Sequence, residues 1–248
     1  MRLVAPRLTA AIPIVLIWTS SSIPALAYRP FDGTDAAVTD EGEMEIELGP
    51  AEYLREGSER TLIAPAVTLN YGFAKGWEAV IESEATHGLS ADAKRSSLVG
   101  NAASLKGVLR EGSLQGKSGP SIATELAVLL PGINDEAGTG GSVAGIVSQQ
   151  WPWLTVHFNA AVAVTRERHG DLFLDAIVEG PRDWAVRPVA EISYEHEFGG
   201  SRTSSGLIGA IWQVRDDLAF DVGLRSGRTS GRSFDEVRLG PTFSFPVR

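Results

Sequence analysis

Residues 218–226 read LAFDVGLRS, and residues 235–245 read DEVRLGPTFSF. In the first stretch Leu218, Phe220, Val222 and Leu224 share one parity, while Asp221 and Arg225 take the other. In the second, Val237, Leu239, Phe243 and Phe245 stand against Glu236, Arg238, Thr242 and Ser244. Successive side chains of a strand point to opposite faces, so a period of two predicts strands with one apolar and one wet face. Segments of about ten such residues, repeated around a closed sheet, are what a bilayer-spanning barrel requires. The expected fold class is all-β, a transmembrane antiparallel up-and-down β-barrel.

Working outward, the same rhythm predicts about twelve strands, at 43–54, 61–73, 77–86, 98–110, 119–130, 142–149, 154–166, 172–180, 185–198, 206–214, 218–226 and 235–245. The eighth and tenth are the weakest, because Phe173, Ile177, Leu207 and Ile211 blur the alternation. An even count puts both chain ends on one side. The connections support this: the even ones are mostly short, as at Ala74-Lys75-Gly76, 150–153, 181–184 and Arg215-Asp216-Asp217, with 111–118 longer than expected. The odd ones include 87–97, 131–141, 199–205 and 227–234, rich in Gly, Ser and charge, with 56–60 and 167–171 shorter. A barrel alternates short periplasmic turns with longer outer loops. Trp77, Trp151, Trp153 and Trp184 fall at the short-turn ends, where an interfacial aromatic girdle is expected. Ordinary packing in a soluble sheet is the competing explanation for them.

Ahead of the strands, residues 1–27 read as a secretory signal peptide. Arg2 and Arg7 are its positive end, 10–18 its apolar stretch, and Ala25-Leu26-Ala27 its cleavage site. An uncleaved anchor is disfavoured because the apolar stretch is too short to span as a helix. Residues 28–248 then form one barrel domain behind a short polar lead, 28–42. Losing Arg2 and Arg7 takes the formal charge from −9 to −11, which argues against a nucleic-acid partner. With no cysteine in the chain, thiol catalysis and thiolate metal sites are excluded. Mean hydropathy near zero suits a barrel with wet inward positions.

Pointing the apolar parity at lipid turns Glu43, Glu45 and Glu47 inward. It does the same for Glu78, Glu82, Glu84, Glu191, Glu195, Glu197, Lys106, Arg110, Arg187, Asp221, Arg225 and Arg238. These residues line a pore, or they pair across strands in a closed lumen. If the path is open, the excess of acids favours cations or neutral solutes. The histidines His87, His157, His169 and His196 form no metal-binding spacing, and neither a cofactor nor a metal is expected. His157 and Asn159 share a strand face and match the His-Asn part of a hydrolase triad, but no Gly-x-Ser-x-Gly accompanies them, so no catalytic residue is assigned. Gly138-Thr139-Gly140-Gly141 lacks the Gly-Lys-Ser/Thr of a phosphate loop, and Asn134-Asp135-Glu136 is a weak Ca²⁺ signal.

One stretch carries a family resemblance. Arg29-Pro30-Phe31, Thr39-Asp40 and Gly42-Glu43-Met44-Glu45-Ile46-Glu47 follow the order of a mature start typical of the MetA-pathway of phenol degradation family. Lys75-Gly76-Trp77 is similar to that family's short turn before a Trp-led strand. The resemblance covers some 20 residues, and beyond them only the strand rhythm agrees. It implies an outer-membrane barrel that passes small hydrophobic or aromatic molecules, with no catalytic residues to carry over. The implied partners are outer-membrane lipid, a small-molecule solute and the barrel-assembly machinery. That machinery commonly recognises a terminal aromatic, whereas this chain ends Phe245-Pro246-Val247-Arg248. The competing readings are a closed-lumen barrel serving structure or adhesion, and a soluble periplasmic β-sandwich or lipocalin-like binder with every strand reversed.

Overall fold

The computed structural model describes residues 29–90 and 95–247, so the signal peptide and its cleavage site lie outside the described residues. Within them, alternation becomes sheet. Thirteen hydrogen-bonded segments follow in order: β1 (Glu43–Gly49), β2 (Glu52–Glu56), β3 (Glu59–Ala74), β4 (Trp77–Gly88), β5 (Ser96–Arg110), β6 (Ser121–Leu129), β7 (Gly140–Trp151), β8 (Leu154–Val164), β9 (Gly170–Glu179), β10 (Val186–Glu197), β11 (Arg202–Arg215), β12 (Leu218–Thr229) and β13 (Arg232–Pro246). β1 and β2 are one spanning strand interrupted at Pro50, since both pair with β3 on one side and β13 on the other. The sheet therefore closes as twelve antiparallel staves, sealed by pairs such as Met44 with Phe245 and Tyr53 with Val237. Closure removes the edges that an open sheet would expose. Pro65, which has no N–H to donate, sits at a register shift in β3 between Ile63 and Ala66.

Polarity is inside out relative to a soluble protein. Outward positions such as Ile81, Phe158, Ile192 and Ile208 are 56–68% exposed, whereas Glu78, Lys106 and Glu191 are at most 3% exposed. A water-soluble sandwich or binder would reverse that assignment, since exposed apolar area on this scale needs lipid to cover it. No helix among the described residues is long and apolar enough to cross a membrane, so the crossing elements are the strands.

The strands run further than the rhythm suggested at the loop end. β11 begins at Arg202 and β12 meets β13 at residues 230–231, so the expected loops at 199–205 and 227–234 shrink to four-residue and two-residue connections. Ser230 and Gly231 hold positive φ there, which lets so tight a turn close. The long even connection at 111–120 has a local cause. It contains a 3₁₀ turn, Ser113–Gln115, that folds beneath the barrel mouth.

Candidate functional site

The polar lead carries no strand pattern, and it folds into the lumen. From Arg29 to Gly42 it circles the inside of the wall and returns to the start of β1. The contacts follow one another round the barrel. Arg29 pairs with Glu52 at 2.7 Å and with Asp221 at 3.5 Å, and its backbone N–H donates to Glu47. Phe31 packs on Val189, Leu207, Ile211 and Ala219. The Asp32 and Gly33 N–H groups both donate to one Glu191 oxygen, at 2.7 and 2.9 Å. Thr34 exchanges bonds with Asn159 in both directions. Lys106 reaches Thr34 Oγ1 at 3.0 Å and pairs with Asp35 and Glu78. Ala36 packs on Leu114, Ala123 and Ile146, and its carbonyl accepts from Gln115 of the 3₁₀ turn. Finally the Thr39 N–H donates to Glu78 at 2.7 Å.

Side chains are missing from the wall where the lead passes closest. A Cβ on Gly72 would lie 2.1 Å from the Asp40 carbonyl, and one on Gly223 would lie 2.9 Å from Pro30. The lead thus replaces water as the partner of buried lumen groups, which would otherwise be costly to bury.

Asp32 is the centre of the strongest cluster. It meets Arg238 at 2.7 Å and Arg225 at 2.5 Å, and both arginines also hold Glu236. Burial alone would raise the Asp32 carboxyl, but the Arg238 and Arg225 guanidiniums bring it net below the usual carboxylate range. Arg225 also lies over the Phe234 ring, 4.9 Å from its centroid.

The residues expected to face the lumen take several places. Glu78, Lys106, Arg187, Glu191 and Asp221 are buried inside the wall, and Arg187 Nε donates to Glu179 at 3.2 Å. Arg225 and Arg238 grip the lead. Glu82 and Glu195 are exposed and make no ion pair with any described residue. Arg110 is placed differently: it stands at the end of β5 and its guanidinium donates to the Pro120 and Ser118 carbonyls, bracing the 111–120 connection. Trp77, Trp151, Trp153 and Trp184 are all exposed on the outside at the short-turn ends, with Trp151 and Trp153 stacked at 6.4 Å. Trp212 joins them beside Phe220, a neighbour the sequence reading missed although its outward parity was legible.

The structure also supplies a serine that the sequence reading did not connect with His157. The Ser148 hydroxyl lies 2.8 Å from His157 Nδ1, and His157 Nε2 lies 3.0 Å from Glu179. The tight β7–β8 turn fixes this register, because pairing Trp151 with Leu154 places Ser148 opposite His157. The nitrogens stand in the reverse of the serine-hydrolase order, where Nε2 faces the nucleophile. The Ser148 oxygen also accepts the Ala36 N–H at 2.9 Å, and Glu179 is held by Arg187. The chain Ala36–Ser148–His157–Glu179–Arg187 therefore anchors the lead to the wall. At the loop end, Glu136 accepts from the Gly100 N–H and pairs with Arg166, which engages the side chain weighed for Ca²⁺. No group of three metal-ligating side chains occurs among the described residues.

Between the lead and the wall lies a cavity of about 390 Å³. Its lining includes the acids Glu82, Glu84 and Glu125 and the apolar Phe31, Ala161 and Phe173.

A closed twelve-stave barrel with an apolar exterior and a charged interior defines a transmembrane β-barrel. Solved structures of that class resemble the chain. The COG4313 outer membrane channel from Pseudomonas putida F1 superposes with a TM-score of 0.63 at 7% identity, covering 87% of this chain and 100% of that one. The NanC porin gives 0.59 at 8% identity, covering 81% and 98%, and the KdgM porin 0.55 at 12%, covering 82% and 99%. No family model and no curated protein matches the sequence. At such identities the likeness establishes the fold alone.

Proposed function

We propose that the chain is an outer-membrane channel for the passive passage of small molecules, exported with residues 1–27 as a signal peptide cleaved near Ala27. The observation that carries this reading is the lumen cavity of about 390 Å³, lined by charged wall residues and by the lead. A barrel built only as a scaffold would gain stability by filling that space with packed side chains. In this reading Glu78, Glu82, Lys106, Arg187, Glu191, Glu195, Asp221, Arg225 and Arg238 set the electrostatics of the path. Arg110 supports the path from its end, and Trp77, Trp151, Trp153 and Trp184 anchor the barrel at the headgroup level. Its partners are outer-membrane lipid, the barrel-assembly machinery and a small solute. The start shared with the MetA-pathway of phenol degradation family points to aromatic or hydrophobic solutes.

The lead favours a second reading, a barrel closed by its own N-terminal segment. Planar-bilayer recording separates the two. The channel reading expects ohmic conductance from the purified protein, and a larger one after deletion of residues 29–38. Inserted barrels that stay silent in both forms would establish the closed scaffold. Cell fractionation checks location: heat-modifiable migration in the outer-membrane fraction is expected, and a soluble periplasmic monomer would refute the proposal.

A further inference from the structure

We propose that the lumen cavity is a binding site for a small organic cation, a protonated amine carried on an apolar or aromatic body. The inference rests on the channel reading in one respect only, that solutes reach the lumen. Three features of the cavity carry it.

The first is an imbalance of partners. Every base lining the cavity is already engaged: Arg29 by Glu52, Arg238 by Asp32 and Glu236, and Lys106 by Asp35 and Glu78. Glu82 and Glu84 on β4 make no direct ion pair and accept no hydrogen bond from any described residue, the Arg238 and Arg29 charges acting on Glu84 only at longer range, and Glu125 on β6 accepts only from the Ser104 hydroxyl. Glu125 and Glu84 are also the charges that act on Glu82, so the three carboxylates share one field. A cation entering the cavity finds acceptors that the protein leaves open.

The second feature is a buried acceptor. Asn70 lines the same cavity and is fully buried. Its Nδ2 donates to Glu47 at 2.9 Å, but its Oδ1 has no donor. A buried carbonyl oxygen without a donor is costly. An ammonium group carries donors and no acceptor, which suits an oxygen left without a donor.

The third feature is an apolar run beside the acids. Ala144 of β7, Ala161 of β8 and Phe173 of β9 follow Glu125 of β6 as successive cross-strand partners, and Phe31 of the lead lines the same cavity. A bare metal ion would gain nothing from that run. An organic cation buries its body there and sets its charge near the rings, whose faces attract cations. The volume falls at the low end of small-molecule sites.

The test uses benzylammonium, with benzyl alcohol and benzoate as neutral and anionic controls of the same shape and methylammonium as the control without a body. Binding is measured by calorimetry on the purified mature protein in detergent, and block of potassium current is measured in planar bilayers. Benzylammonium is expected to bind more tightly than all three controls. The double variant Glu82→Gln/Glu84→Gln should weaken it about tenfold or more, the effect of losing charge-assisted contacts. Phe173→Leu should weaken benzylammonium while leaving methylammonium unchanged. Heat-modifiable migration confirms that each variant still forms the barrel. Equal binding of benzoate or benzyl alcohol, no binding, or an unchanged affinity in the double variant would overturn the proposal. Binding without conductance would instead sink the channel reading and leave the site standing. Conductance without discrimination among the probes would do the reverse.

Discussion

Asp32 Oδ1 lies 2.7 Å from the Arg238 guanidinium, joining the lead to the last strand across 206 positions of sequence. The pair lies at the barrel's seam, where β13 is seated against β1 and β2. Both side chains are mostly shielded, at 17% and 13% exposure, so their attraction is less screened than a surface pair.

Asp32→Asn should therefore loosen the lead at a cost on the order of 1–3 kcal/mol, the range for orphaning a shielded charged partner. A rise in single-channel conductance is the expected readout, and an unchanged conductance would mean the lead does not obstruct the path. The pH dependence follows in sign. The Asp32 carboxyl is held below its ordinary value of 3.8, so its contribution is complete above that pH and is lost as the pH falls below it. Wild-type conductance should climb in that acid window by a step that Asp32→Asn lacks.

Selectivity and anchoring fall to different glutamates. Glu82 and Glu195 carry no ion pair, whereas Glu78 and Glu191 accept backbone N–H groups of the lead. Glu82→Gln/Glu195→Gln should shift the reversal potential toward weaker cation preference, most visibly at low salt. Glu191→Ala should instead raise conductance by freeing the Asp32 and Gly33 amides. Swapped phenotypes would reassign the two pairs.

The absence of native cysteine permits a direct probe of the lead. A single Val38→Cys should react slowly with a maleimide while the Ala36–Ser148–His157 chain holds. Adding Ser148→Ala removes the acceptor of the Ala36 N–H and should speed labelling several-fold, in line with about 1 kcal/mol for one hydrogen bond. An unchanged rate would show that the apolar contacts around Ala36 suffice.

Orientation is tested by neighbouring arginines on β12. Val222 faces outward and is 46% exposed, so Val222→Arg should cost about 2–4 kcal/mol in a bilayer. Gly223 faces inward, and with Pro30 2.9 Å from its hypothetical Cβ, an arginine there must displace the lead. Gly223→Arg should assemble as a barrel but conduct differently, while Val222→Arg should impair insertion itself. Equal insertion defects would contradict the assignment of faces.

One of the two blurred strands shows how tertiary structure overrides a local pattern. Leu207 and Ile211 break the alternation of β11 because they receive Phe31, so inward positions there are apolar. The overlong connection at 111–120 has the same origin, since its Leu114 and Gln115 hold Ala36 from below. Both irregularities were visible in the sequence, but their shared cause was not, because nothing local relates them to residues 29–42.

Strand parity was determined by the sequence alone, and with it the lipid face, the twelve staves, the tryptophan positions and the register of tightly turned hairpins. Each depends on neighbours one or two residues apart, or on a turn of fixed length. The course of the lead was decided only in three dimensions. Arg29 finds Asp221, Asp32 finds Arg238 and Phe31 finds Ile211 because closure gathers those side chains around one lumen. A segment without periodicity takes its conformation from the walls that enclose it, and those walls exist only after the first and last strands have met.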